Sequence, residues 1–187
     1  VPDNTDPLNV SLGNPYLESY FTHNMRGTFR FTNRTTFTSV NAQLGGNFVQ
    51  DAITNAQWYD QSGAQYSIPV NGPGTGSANA SIMVNSPIAK SDFSIMSNTS
   101  ARYNQSVSYI GTGTLNSDLY YDPDNAEFNY VLFHKDYPSL GDSDAFLTNK
   151  IRSLNVTEML RLTYRNDFVE LVAGGRTNVS KSWYTMK

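Results

Sequence analysis

The side chains best equipped for chemistry in these 187 residues are two histidines, one acidic run and a group of tyrosines. His23 lies in an alternating, strand-like stretch, and His134 follows the aromatic run from Phe128 to Phe133. A zinc site or a His-based nucleophile needs partners at fixed spacing, and neither histidine has them. The run Asp122-Pro123-Asp124-Asn125-Ala126-Glu127, with Asp142 and Asp144 beyond it, offers oxygen ligands suited to Ca²⁺. It lacks the spacing of a calcium-binding loop, and Asp, Pro and Asn are ordinary turn residues. No metal or cofactor is therefore expected. Serines are plentiful without a Gly-x-Ser-x-Gly elbow, and Gly72-Pro73-Gly74-Thr75-Gly76 lacks the lysine and helix of a phosphate loop. No catalytic residues are assigned, and the chain is not expected to be an enzyme. The remaining chemistry is recognition: Tyr120, Tyr121, Tyr130 and Tyr137, all within 111–144, could stack on a ligand.

Those residues need a scaffold, and the scaffold is written in a period of two. Between 18 and 32, Phe21, His23, Met25, Phe29 and Phe31 alternate with Thr22, Asn24, Arg26, Thr28 and Arg30. Ala78, Ala80, Ile82 and Val84 alternate with Ser77, Asn79, Ser81 and Asn85, and Leu160, Leu162 and Tyr164 with Arg161 and Arg165. The pattern predicts an all-β, antiparallel up-and-down meander forming a partial or small closed β-barrel.

Tight turns are expected around Asn33-Arg34, Pro87-Ile88 and Asn166-Asp167, with long connections at 51–66 and 111–144. In a meander, successive connections alternate between the two ends of the sheet, so the short ones share one end and the long ones the other. Outer-membrane barrels have that asymmetry, and their strands are long. Phe29, Phe31, Phe37, Phe93, Tyr164 and Phe168 cluster near the tight turns, as an interfacial aromatic belt would.

Composition agrees. Only 16% of residues are charged and 13% are aromatic, with Ser, Thr and Asn replacing the missing charge. A net charge of −3 without a basic stripe argues against nucleic acid as a partner. The absence of cysteine excludes disulfides and thiolate chemistry. The seven Asn-x-Ser/Thr matches are read as products of this composition. The first residues, Val1-Pro2-Asp3-Asn4, carry no signal peptide.

Three stretches carry a resemblance. Asp6-Pro7-Leu8-Asn9-Val10 followed by Gly13-Asn14-Pro15-Tyr16-Leu17-Glu18 resembles the approach to a strand in TonB-dependent-receptor-like outer-membrane β-barrels. Leu160-Arg161-Leu162-Thr163-Tyr164-Arg165-Asn166-Asp167-Phe168 is similar to a hairpin of that group, and Tyr66-Ser67-Ile68-Pro69-Val70-Asn71-Gly72 to one of its strands. The resemblance implies one barrel-wall segment over 1–187, a fragment of a larger bacterial outer-membrane barrel, with no plug domain of its own. It implies outer-membrane lipid as neighbour, an unidentified nutrient ligand, and a plug and TonB system acting through the parent protein. Arg26, Arg30, Arg102, Arg161, Glu170 and Arg176 would then face the interior or its mouth. The competing expectation is a soluble β-sandwich or small barrel, an adhesin or carbohydrate-binding module, with Tyr120, Tyr121 or Trp58 as sugar platforms.

Overall fold

The computed structural model describes residues 8–88, 91–122 and 127–186, the side chains of 121 and 122 excepted. Its frame is six long strands: β2 (Phe21–Asn33), β3 (Thr38–Gln50), β6 (Thr75–Pro87), β7 (Phe93–Leu115), β10 (Phe146–Arg165) and β11 (Glu170–Met186). Between them lie β1 (Asn9–Ser11), β4 (Ile53–Asp60) and β5 (Gln65–Asn71). A further pair, β8 (Tyr121–Asp122) and β9 (Glu127–Phe128), one short α-helix, α1 (Tyr130–Asp136), and two 3-10 turns, Ser117–Tyr120 and Leu140–Asp142, complete the described elements. The long strands run antiparallel in the order β2-β3-β6-β7-β10-β11. The sheet is open among the described residues, with β2 and β11 as the edges of its long strands and β1 as a short edge beyond β5.

Expected turns join β2 to β3, β6 to β7 and β10 to β11, all at one end. Asn33 shapes the first by accepting the Thr35 and Thr36 amides, and Asn166 the third by accepting those of Phe168 and Val169. These are the local side-chain-to-backbone bonds that make Asn a turn former.

Register sorts the side chains into two faces. Phe29, Ala42, Ile82, Thr99 and Glu158 stand side by side across β2, β3, β6, β7 and β10. Phe31, Val40, Val84, Ser97 and Leu160 form the next row on that face. The opposite face carries Arg26, Gly45, Asn79, Arg102, Asn155 and Ser180 in one row. One face is apolar yet exposed, with Leu160 at 49% and Phe29 at 60% of full exposure.

The opposite end departs from a plain meander. The segment 51–66, expected as a long connection, is mostly strand: β4 and β5 form a hairpin. Asp60 builds its turn, accepting the amides of Ser62 and Ala64, with Gly63 in the left-handed region at φ 85°. This hairpin continues the β3–β6 hairpin, but the two chains change places. Below, β6 pairs with β7 and β3 lies outside it; above, β4 pairs with β7 and β5 lies outside. The ribbon has made a half twist. The half twist makes β4 parallel to β7, and β1 adds a second parallel pairing with β5; the rest of the sheet is the antiparallel meander expected, open and not closed into a full barrel.

At the crossing, Asp51 adopts φ 52°, and Gly74 lies so close to Phe48 that a Cβ would come within 2.6 Å of its ring. The glycine-rich stretch expected as a strand irregularity is thus the crossing itself together with the first residues of β6.

Candidate functional site: an aromatic cap and its cleft

Alternation in the twisted hairpin turns Ala56, Trp58, Tyr66, Ile68 and Val70 to one side. Ala56 pairs directly with Tyr109, whose side belongs to the apolar face of β7. Residues 116–122 and 127–145 fold back over that side and bury it, making the molecule's one dry core among the described residues.

Trp58 is the centre, 2% exposed. It stacks on Tyr66 and Phe133 at 5.6 and 5.4 Å, meets Phe146 edge-on at 6.0 Å, and donates from Nε1 to Ser117 Oγ at 3.1 Å. Such offset and edge geometries suit the aromatic quadrupole, and the buried indole N–H is satisfied. Gly111 lies beneath it, where a Cβ would approach Trp58 Cβ at 2.8 Å. Asn129 starts α1 by accepting the Leu132 amide, which brings Phe133 inward.

Beside the core a cleft of about 250 Å³ opens between α1 and β5. Ile68, Val70, Phe133 and Leu140 form its floor. Tyr16 and His134 stack at 5.3 Å with planes 10° apart, joining the N-terminal segment to α1 across it. Asn14, Glu18, Asn71, Tyr130 and Tyr137 supply polar atoms around it. Asn14 donates to the Pro69 carbonyl and accepts the Tyr16 amide. The arrangement can stack on a flat or ring-bearing group and hydrogen-bond its edge.

The four tyrosines expected as ligand platforms part company here. Tyr130 and Tyr137 line the cleft. Tyr120 is 6% exposed, packs edge-on to Phe133 at 5.4 Å and donates to Asp136 Oδ2 at 3.1 Å. Burial above all, then hydrogen bonds with Tyr137 and Asp136, pushes its hydroxyl pKa well above the usual value. Tyr120 is thus a core residue. The Tyr121 side chain lies outside the described residues, as do Pro123, Asp124, Asn125 and Ala126 of the acidic run. Trp58, the other proposed platform, is sealed within the core.

Sequence reasoning missed Tyr16, Glu18, Asn14, Asn71 and His134 as cleft residues. The first four lie in the stretches that carry the family resemblance. His134 was set aside for lack of metal ligands, a test blind to stacking.

On the polar face, Arg102 and Arg176 line a hollow of about 470 Å³ with Asn79, Asn155 and Asn178. Asn41 Oδ1, across from Arg30, is buried without a hydrogen-bond partner. Arg165 and Glu170 pair at 3.7 Å near the third turn, both well exposed.

The family profile described as "Outer membrane protein beta-barrel family" matches residues 1–169. No curated protein and no solved structure matches the chain.

Proposed function

Because the chain belongs to the outer-membrane β-barrel family, we propose that it is wall from a TonB-dependent nutrient receptor, with its polar face lining the lumen. Family membership gives the location, the bacterial outer membrane. The observation that carries the reading is the set of arginines gathered on the polar face. Arg26, Arg30, Arg102, Arg161 and Arg176 share the polar face, and the acid on that face within the long strands is Glu170, held by Arg165 near a turn. Five arginines beside a water-filled lumen favour an anionic ligand or an acidic surface of a plug. The face bearing Phe29, Leu44, Ile82, Ile95 and Leu160 then meets lipid, where its exposure costs nothing. Edges β2 and β11 require further strands from the parent protein, since an unpaired edge is untenable in a bilayer.

The cap stands on the lipid-side face of the wall, above the membrane, because β7 carries Tyr109 on the same side as Ile95. It braces strands that project beyond the bilayer, and its cleft is an outward-facing recognition surface for Tyr130 and Tyr137. A soluble sandwich or carbohydrate module would need a second layer over Phe29 and Leu160, which no described residue supplies. The reading assigns the chain no catalytic step.

The test is uptake by cells expressing the full-length protein, across anionic nutrients. Expected is uptake that stops when the proton gradient is collapsed and falls severalfold in Arg102→Gln/Arg176→Gln. Uptake indifferent to the gradient would indicate a passive pore.

A further inference from the structure

The lipid-side face changes character just above its apolar band. On β10, Arg152 and Lys150 follow Leu154 on the side that also carries Leu160 and Leu162. On β11, Lys181 stands beside Leu154, and Trp183 beside Arg152. Strict alternation therefore sends three cations and an indole toward the surroundings of the barrel rather than into its lumen.

Their height is set by chain geometry. Arg152 is twelve residues from Tyr164, near the third turn. That is about 40 Å of strand, or roughly 30 Å of vertical rise at a tilt of about 40°. The hydrocarbon layer is about 30 Å thick. Lys181, ten residues from Leu171, reaches about 25 Å by the same geometry, and Lys150 about 35 Å. The three cations bracket the outer headgroup layer.

Their surroundings leave the charge available. Arg152 Nε donates to Gln105 Oε1 at 3.2 Å, an oxygen that also accepts from the Tyr103 hydroxyl at 3.4 Å. Lys181 Nζ lies 5.2 Å from the centre of the Trp183 ring. The one ion pair among the described residues, Arg165 with Glu170, is at the other end of the sheet. The face is asymmetric too: near the tight turns its strand positions hold Phe31, Phe93, Tyr164 and Leu171, without a cation.

We propose that Lys150, Arg152 and Lys181 bind the phosphate-bearing headgroup of an anionic outer-leaflet lipid, with Trp183 and Tyr103 packing at its acyl junction. A guanidinium fork flanked by two ammonium groups suits phosphate oxygens, and Trp and Tyr belong at the membrane interface. This rests on the lipid-facing assignment of the apolar face, not on the transported ligand, and is tested separately from uptake.

The experiment takes full-length protein, purified in neutral detergent and titrated with phosphatidylglycerol or with phosphatidylcholine of the same chains. Bound lipid is counted by native mass spectrometry. Wild type should retain phosphatidylglycerol in preference, and Lys150→Gln/Arg152→Gln/Lys181→Gln should lose it by on the order of 100-fold, about fivefold per cation. Heat-modifiable gel mobility checks folding, and Arg152→Gln alone serves if the triple variant fails to fold. Arg102→Gln, on the opposite face, should leave lipid retention unchanged. Equal retention by wild type and triple variant would overturn the proposal. So would complete displacement by excess inorganic phosphate, which would mark a site for free phosphate.

Discussion

Asn71 holds Glu18 by both of its backbone groups: Oδ1 accepts the Glu18 amide at 2.8 Å and Nδ2 donates to the Glu18 carbonyl at 3.0 Å. Nδ2 also donates to the Asp51 carbonyl at 3.0 Å, so one side chain ties the N-terminal segment to both chains of the crossing. Asn71→Leu should cost about 1–3 kcal/mol locally. Limited proteolysis of the full-length protein should then cut between residues 12 and 20, sites resistant in wild type. Asn71→Asp, which keeps the acceptor, should give an intermediate rate. Unchanged cleavage in Asn71→Leu would remove this clamp from the account.

Trp58 anchors a core that includes Tyr109 of β7 and Phe146 of β10, at the end of those strands away from the tight turns. Trp58→Ala should destabilise the cap by about 3–5 kcal/mol. Proteases should then cleave within 116–145 while the heat-modifiable mobility of the barrel persists. Loss of that mobility would show the cap and the wall to be one cooperative unit.

Tyr120 makes cap stability depend on alkaline pH. Its hydroxyl is held protonated by burial and by bonds to Tyr137 and Asp136, so its folded pKa lies above the unfolded value of about 10. The unfolded state loses its proton first as pH rises. The stabilisation is therefore complete below pH of about 10 and is lost progressively above it. Protease resistance of the cap should fall through this range in wild type, and less steeply in Tyr120→Phe. Equal slopes would contradict the assignment.

Much of the long-strand frame was legible because each strand alternates large apolar with polar side chains and each tight turn is marked by Asn or Pro. β5 lies in the Tyr66–Gly72 stretch already likened to a strand, but β4 was hidden because its inward residues include Thr54 and Ala56, which give little hydropathic contrast. Its parallel seam with β7 follows from the half twist, and nothing in local periodicity encodes which edge of a ribbon faces its neighbour. The tyrosine cluster was legible as a cluster, but not Tyr120's inward turn, which depends on α1 and Phe133 arriving from elsewhere. The cap's position on the apolar face emerges only once Val107 and Tyr109 are placed by register.

Glu158 is the charged exception inside the apolar band, below Lys150, Arg152 and Lys181, and is held by the hydroxyls of Ser97 at 2.8 Å and Thr99. Ser97→Ala/Thr99→Val leaves that carboxylate without these donors and should destabilise the full-length barrel in liposomes by about 1–3 kcal/mol. Glu158→Leu should be at least as stable as wild type. Urea titration gives the order, and a Glu158→Leu barrel weaker than the hydroxyl variant would mean that this row does not face lipid.

In the proposed wall, adjacent residues of one strand face lipid and lumen in turn. The chain has no cysteine, so single cysteines can be introduced at 159, 160, 161 and 162 and spin-labelled in the full-length protein in liposomes. Collision rates with oxygen, which concentrates in lipid, and with a water-soluble nickel chelate read the two environments. Labels at 160 and 162 should favour oxygen, and those at 159 and 161 the chelate. Equal accessibility at all four positions, or the reverse order, would show that these two faces do not divide lipid from lumen.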